Sequence, residues 1–417
     1  MLHLVEALNF RCLRYVSQRM DRFHVLVGPN ASGKTTFLDV IAFMSGLVKD
    51  GLPTTVGRMS PTFDDLLFRH EGKGFELAIE VKLPETLKRD AATDVHDVLR
   101  YEVAIELDSP DSQMRIAEES LLVRQAEVVD LRQPQLFPES RLIPTTLLQG
   151  NSQKLKKQTI LRRTEKGRAN YYPEPNRKGW KPKWDLAAGS SALANLPEDH
   201  EKFPSATWFK RFLLEGIEKI QLDSVAIQKA SPPGQGTRFK RDGSNLPWVV
   251  HNFRQKNPQR FKAWLDHLQT ALRDLEDVVS VDREDDRHRY LKLEYKGGLE
   301  VPSWMASDGT LRLLALTLPA YLDDLTGVLL IEEPENGIHP RAVETMIESL
   351  RDVDNAQILV ATHSPVVLSN VQPSEVLCFA KDPEGATDIV RGSEHPALVD
   401  WQRDISLGTL FAAGVLN

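Results

Sequence analysis

Three short stretches of this chain carry residue types whose order suits the holding and cleavage of a phosphate chain. The first is Gly28-Pro29-Asn30-Ala31-Ser32-Gly33-Lys34-Thr35, followed by Thr36. It matches G-x-x-x-x-G-K-[ST] at every fixed position and falls between a short apolar run and a helical pattern, the context that the motif requires. Glycines let successive backbone N–H groups converge on phosphate oxygens, and the start of the following helix adds the positive end of its dipole. Lys34 adds a full charge, and the Thr35 hydroxyl can ligate magnesium. The second stretch is Glu332-Glu333, delivered by the apolar run Val328-Leu329-Leu330-Ile331. Adjacent side chains on a strand diverge, so the pair can serve two targets: Glu332 the magnesium side, through water, and Glu333 the attacking water of an in-line phosphoryl transfer. The third is Thr362-His363-Ser364-Pro365, at the end of the apolar run Gln357 to Ala361. A histidine at such a strand tip can touch a γ-phosphate and report its presence. Read singly, the acidic pair also fits a helix-capping loop and the histidine a structural role.

The elements that must position these residues follow from patterning. Leu2 to Arg11 reads as strand, His24 to Val27 as a short apolar strand, and Thr35 to Val48 as a helix ending before Gly51, which makes a β-loop-α unit. Residues 75 to 83, 100 to 107 and 116 to 123 alternate apolar and polar side chains, as antiparallel strands beside the nucleotide unit would. Helical patterning covers Trp208 to Ile220 and Phe261 to Leu275, followed by a hairpin over Val278 to Tyr295. The last third alternates helix (Leu311 to Tyr321), strand (Val328 to Ile331), helix (Arg341 to Val353) and strand (Gln357 to Ala361), the signature of a parallel α/β sheet. The predicted division is 1–123 for a first lobe with the phosphate loop and an antiparallel sheet, 124–245 for a proline-rich inserted arm, and 246–417 for a second lobe.

Bulk properties narrow the class. With 41% hydrophobic and 27% charged residues the chain folds, and a net charge of -7 argues against coating nucleic acid through overall charge. The two cysteines, Cys12 and Cys378, have no metal-ligand companions, so neither zinc nor a disulfide scaffold is expected. There is no apolar run of about 18 residues, so no membrane span is expected and the cytoplasm is the expected location.

Together these pieces resemble the ABC-ATPase superfamily, in its branch of SMC, RecF and OLD proteins and the AAA15/AAA21-type ATPases of bacterial defence systems. The residues that carry the resemblance are Asn9-Phe10-Arg11, the loop GPNASGKTT, Asp242 to Pro247, Ser307-Asp308-Gly309-Thr310-Leu311-Arg312, Ile331 to Pro340, and Ala361 to Pro365, in that order. The resemblance implies an α/β fold: an ABC-ATPase (P-loop NTPase) head with mixed parallel and antiparallel sheets plus an inserted β/α arm region. It implies ATP and Mg2+ as ligands. Ser307-Asp308-Gly309 would be the signature motif, closing over the γ-phosphate held by a second copy of the chain; without the family, SDGT is a helix cap. Glu335 to His339 would cross that dimer interface, and His363 would be the switch histidine. Three departures stand out: Glu332 occupies a position where many relatives carry Asp, no glutamine lies between Gln18 and Gln113 to serve as the usual lobe-linking ligand, and the signature reads SDGT instead of SGGQ.

The resemblance also frames what such an engine drives. The long gap between phosphate loop and signature disfavours transport, and residues 124–245 lack the sustained heptads of a coiled-coil arm. The segment after His363 lacks the acidic clusters of the TOPRIM nuclease domain that OLD proteins append, so a nuclease or toxin effector is expected on a separate polypeptide. Lys154 to Lys183 is strongly basic and interleaved with Tyr171, Tyr172 and Trp180, which suits nucleic acid and equally suits a solvated hairpin. The expectation is a head-to-tail homodimer that hydrolyses ATP to gate the effector or engage nucleic acid, in antiviral defence or DNA maintenance. A slow nucleotide-gated scaffold that holds an effector inert, and a RecF-like repair ATPase, stand as alternatives.

Overall fold

The structure is a computed structural model, and it describes residues 1–90, 97–108, 113–125, 143–149, 157–164, 166–174, 183–323, 325–399 and 406–415. The chain forms two compact units: Met1–Asp21, Ala31–Ile217 and Phe379–Ile389 make the first, and Arg22–Asn30, Glu218–Cys378 and Val390–Asn417 make the second.

The first unit is built on an antiparallel sheet. Its strands are β1 (Leu2–Phe10) and β2 (Leu13–Arg19), then, past β3 (Phe23–Val27) of the second unit, β4 (Gly74–Lys82), β5 (Val98–Asp108), β6 (Gln113–Arg124), β7 (Lys157–Arg163), β8 (Arg168–Tyr171) and β9 (Lys183–Asp185). They lie in the order β2-β1-β4-β5-β6-β7-β8-β9. Period-two alternation gives this sheet two unlike faces. Phe75, Leu77 and Ile79 of β4 stand opposite Ile105, Val103 and Tyr101 of β5, and Phe43 of the helix Lys34–Asp50 packs on Phe10 and Phe75. The other face buries charge, and buried charge must be paired. Arg100 bonds Glu80 and Glu102, each at 2.9 Å, and Glu6 as well. Of the segment expected as an insertion, β7 to β9 continue the sheet that β1 begins.

The second unit carries β10 (Ile217–Ile220, from Glu218), β11 (Leu275–Asp282), β12 (Arg289–Tyr295), β13 (Leu299–Pro302), β14 (Gly327–Glu332), β15 (Ala356–Ala361), β16 (Val376–Lys381) and β17 (Thr387–Arg391), the last two in part. A six-stranded sheet runs β10-β14-β15-β3-β16-β17, and a small antiparallel sheet runs β11-β12-β13. β14, β15, β3 and β16 are parallel. β3 and β15 are buried along their whole length, as strands covered on both faces require.

Most predicted elements appear within a few residues of their expected limits. Ile217 to Ile220, expected as the end of a helix, is instead strand β10. Gly216 follows the helix Pro204–Glu215 as its C-cap, and the apolar residues beyond it join a sheet edge. Leu275 likewise opens β11, the helix before it ending at Ala271. Leu318–Tyr321 tightens into a 3-10 turn at Pro319, whose ring cannot continue the helical ladder. Among the described residues no helix is long and apolar enough to cross a membrane.

Candidate active site

Parallel pairing in the second unit decides which sequence motifs meet. Glu332 of β14 stands abreast of Ala361 of β15, and Ala361 abreast of Leu26 of β3. Beyond these residues the three strands stay stapled: Glu333 N–H donates to the Ala361 carbonyl at 2.8 Å, and Thr362 N–H to the Leu26 carbonyl at 3.0 Å. Gly28, the acidic pair and Thr362-His363 therefore leave one carboxyl edge of the sheet. That edge is where open α/β sheets bind ligands.

The loop that starts at Gly28 bends through backbone that side chains resist. Gly28, Ala31 and Gly33 have φ of 149°, 60° and 104°. In the first unit Gly33 is also sterically required, because a Cβ there would lie 2.3 Å from Thr387 Oγ1 and 3.1 Å from Cys12 Sγ. Thr387 fixes the loop from behind, its hydroxyl donating to the Ser32 carbonyl at 2.9 Å. The helix Lys34–Asp50 then begins without a side-chain cap and without an acidic residue in its first turn. A helix start with neither a side-chain cap nor an acidic residue keeps its positive dipole end unneutralised by its own side chains, which favours an anion there. Lys34 is 6% exposed, while Thr35 is exposed and Thr36 half-buried with its hydroxyl 3.5 Å from Cys12 Sγ.

The two acids have different surroundings. Glu332 is half-buried, and Lys219 Nζ of β10 lies 2.9 Å from its Oε1 as an ion pair without hydrogen-bond geometry. Glu333 is exposed, with a left-handed φ of 46°, and its carboxylate accepts from the Asn336 side chain. Glu335 turns inward and accepts from the Thr362 hydroxyl. Burial pushes the Glu335 carboxyl above its ordinary range. His363 is half-buried on the adjoining loop.

Ser307, Asp308 and Gly309 open the helix Asp308–Thr317. Ser307 is its N-cap, accepting from Thr310 N–H at 3.1 Å. Asp308 pairs with Arg312 at 2.8 Å, and Arg312 reaches on to Ser224 Oγ at 2.9 Å. A Cβ on Gly309 would meet the Gly337 carbonyl at 2.1 Å. Gly309 is thus required by the packing of this helix against the loop after Glu333, a reason the motif by itself does not give.

The basic stretch looks different in three dimensions from its string of charges. Lys154 to Lys156 and 175–182, Trp180 among them, lie outside the described residues. Arg163 is 1% exposed and donates to the carbonyls of Ser190, Ala187 and Ala188. Tyr171 is buried, its hydroxyl donating to the Ala192 carbonyl at 2.9 Å. As a correction to the sequence reading, these two side chains hold the interior together and are not offered to nucleic acid.

Sequence reasoning missed Lys219, Thr387 and the pairing of Glu335 with Thr362. Lys219 and Thr387 sit outside any motif and act on residues more than a hundred positions away, so no local signal marks them. Glu335 and Thr362 both lie inside motifs, and only strand adjacency joins them.

The family model described as "AAA domain, putative AbiEii toxin, Type IV TA system" matches residues 23–113 and 150–369, well over half of the chain. The chain belongs to this family. The chain is similar to the crystal structure of the SmcHead bound to the C-winged helix domain of ScpA, with 14% identity, a TM-score of 0.53, and coverage of 93% of this chain and 97% of that one. It is also similar to the Smc head domain with an extended coiled coil bound to the C-terminal domain of ScpA derived from Pyrococcus furiosus, with 13% identity, a TM-score of 0.50, and coverage of 93% and 95%. A search of the curated proteins finds no match. This family member has the α/β fold of an SMC-type ABC-ATPase head, as the sequence resemblance implied.

Proposed function

We propose that this member of the AbiEii-like AAA family hydrolyses ATP with magnesium, as a head-to-tail homodimer that gates a separate effector protein. The observation that carries the reading is the delivery of the phosphate loop's first residue, the acidic pair and Thr362-His363 to one edge of a parallel sheet. In this reading the N–H groups of Gly28 to Thr36 and the Lys34 ammonium hold the phosphates. Glu333 takes up proton density from a water, which attacks the γ-phosphorus in line; the bond to the bridging oxygen breaks and leaves ADP and phosphate. His363 contacts the γ-phosphate. Ser307, Asp308 and Gly309 of the partner copy close over the same group, the positive end of their helix facing it.

Thr35 and Glu332 are the residues that would hold magnesium. They fit it: both offer hard oxygens, and Glu332 Oε1 is a buried oxygen that takes part in no hydrogen bond and faces only the Lys219 ammonium, 2.9 Å away, as an ion pair. Among the described residues no group of three or more His, Cys, Asp or Glu is arranged to hold a metal. Magnesium would take most of its ligands from phosphate and water and would neutralise charge developing on the phosphate oxygens.

The effector half of the proposal draws on two descriptions. The family's names an AbiEii toxin and a type IV TA system, which supports a defence setting with a toxin or nuclease output. The Smc heads are described as bound to a domain of another protein, ScpA, which supports a separate polypeptide partner. Engagement of nucleic acid through 154–183 is the weaker branch, because Arg163 and Tyr171 face inward.

The test is a pair of variants. Glu333→Gln is expected to abolish hydrolysis and accumulate an ATP-bound dimer, seen by light scattering after size exclusion, while Lys34→Ala loses nucleotide binding. Hydrolysis that survives in Glu333→Gln sinks the catalytic assignment.

A further inference from the structure

We infer that Glu335 is a positioning residue that ties the loop bearing Glu333 to the loop bearing His363, with Thr362 as its anchor. The inference rests on the catalytic reading above and adds a residue to it.

The loops after β14 and β15 are stapled once by backbone, through the Glu333 N–H to the Ala361 carbonyl at 2.8 Å, and a side chain bridges them beyond it. Glu335 lies two residues past Glu333 and sends its carboxylate to the exit of β15, where Oε1 accepts from the Thr362 hydroxyl. The backbone N–H of His363 also favours the charged form of this carboxylate, against the rise that burial imposes. Thr362 is 0% exposed, and while its hydroxyl proton goes to Glu335, its oxygen accepts from Ser364 N–H at 2.9 Å. Thr362 is therefore locked from both sides, and His363 sits between two fixed residues.

The other end of the bridge is equally constrained. Asn336 N–H donates to the Glu333 carbonyl at 3.1 Å, Ile338 N–H to the Glu335 carbonyl at 2.9 Å, and the Asn336 side chain to the Glu333 carboxylate. Glu333 needs such a frame, because a non-glycine residue at φ 46° persists only where its surroundings over-determine it. The Thr362 hydroxyl donates to Glu335 and the His363 N–H favours its charge, so a carboxylate suits both, whereas a glutamine amide has one accepting oxygen and an NH2 that opposes a second N–H. The tie thus makes the positions of Glu333 and His363 depend on each other, which a site that must place a water and sense a phosphate requires.

The experiment compares full-length wild type, Glu335→Gln, Thr362→Val, Thr362→Ser, the double variant Glu335→Gln/Thr362→Val, and Glu333→Gln. Hydrogen exchange of the 362–364 backbone reads the tie directly, and kcat, KM and nucleotide affinity read its consequence. Glu335→Gln and Thr362→Val are expected to speed exchange there and lower kcat by roughly tenfold to a hundredfold, with KM and nucleotide affinity within about twofold. Thr362→Ser keeps the hydroxyl and stays near wild type. The double variant is no slower than the slower single one, because both cut the same bridge. Full kcat in both single variants, while Glu333→Gln is dead, overturns this inference and leaves the catalytic reading standing. Multiplying losses in the double variant do the same. A wild-type chain without turnover, or a Glu333→Gln variant that keeps it, overturns both. Glu335→Gln is nearly isosteric, so it answers the question should Thr362→Val fail to fold.

Discussion

Lys219 Nζ on β10 lies 2.9 Å from the Glu332 carboxylate on the neighbouring strand β14. A lysine beside the carboxylate expected to face magnesium opposes the arrival of a second cation. Both groups are partly exposed, so the opposition is screened and modest. Lys219→Met should lower the magnesium concentration that half-saturates nucleotide binding by roughly threefold to tenfold, an effect of about 1 kcal/mol in Coulomb terms. Titrating magnesium against a fluorescent nucleotide at low and high salt checks it. An unchanged or raised magnesium requirement at low salt would count against the idea.

Gly309→Ala places a methyl 2.1 Å from the Gly337 carbonyl, a backbone atom that cannot swing aside. The cost expected is roughly 1–3 kcal/mol, the usual size of an overpacking strain. The exposed Gly57 inside the helix Leu52–Met59 has no heavy atom within 4 Å of a built Cβ. Gly57→Ala should therefore stabilise the protein by about 0.5–1 kcal/mol. Parallel thermal unfolding scans test the contrast, and equal shifts for the two variants would contradict the packing described here.

Arg163 tests the corrected reading of the basic stretch. Its truncation leaves the carbonyls of Ser190, Ala187 and Ala188 without their buried donor. Arg163→Ala should cost roughly 2–5 kcal/mol, visible as a lower denaturant midpoint. A variant as stable as wild type would return Arg163 to the surface and to the list of nucleic-acid contacts.

Thiol chemistry should separate the two cysteines. Burial pushes the Cys378 thiol up to about 12, so it is held as the neutral form at every ordinary pH. At pH 8 its thiolate is on the order of one part in ten thousand. Cys12 is half-buried, 3.5 Å from Thr36 Oγ1. Iodoacetamide at pH 8 is expected to add once to the native chain, at Cys12, and twice after denaturation. The Cys12 adduct should weaken nucleotide binding by crowding the start of the helix Lys34–Asp50. Peptide mass mapping reads both outcomes, and a native adduct on Cys378 would refute its burial.

The sequence determined a good deal by itself. Gly28 to Thr36, the acidic pair after Ile331 and the apolar runs of β3, β14 and β15 are local patterns, and local patterns report backbone geometry directly. Ser307 as a helix cap was legible for the same reason, since capping involves residues only three apart. Where local signals pointed two ways, the reading failed: Ile217 to Ile220 follows a helix without a proline, and only the open edge beside β14 makes it a strand.

Tertiary structure decided which distant residues touch. Lys219 beside Glu332, Thr387 behind Ser32, Gly337 against Gly309, and Arg163 turned inward from a run of solvated charges all depend on strand order and on which face of a sheet is covered. Parallel pairing placed Thr362 within reach of Glu335. One strand's sequence contains no record of its neighbour, because the bonds that join strands run between backbone atoms that every residue shares. Side-chain identity is read only once the register is set.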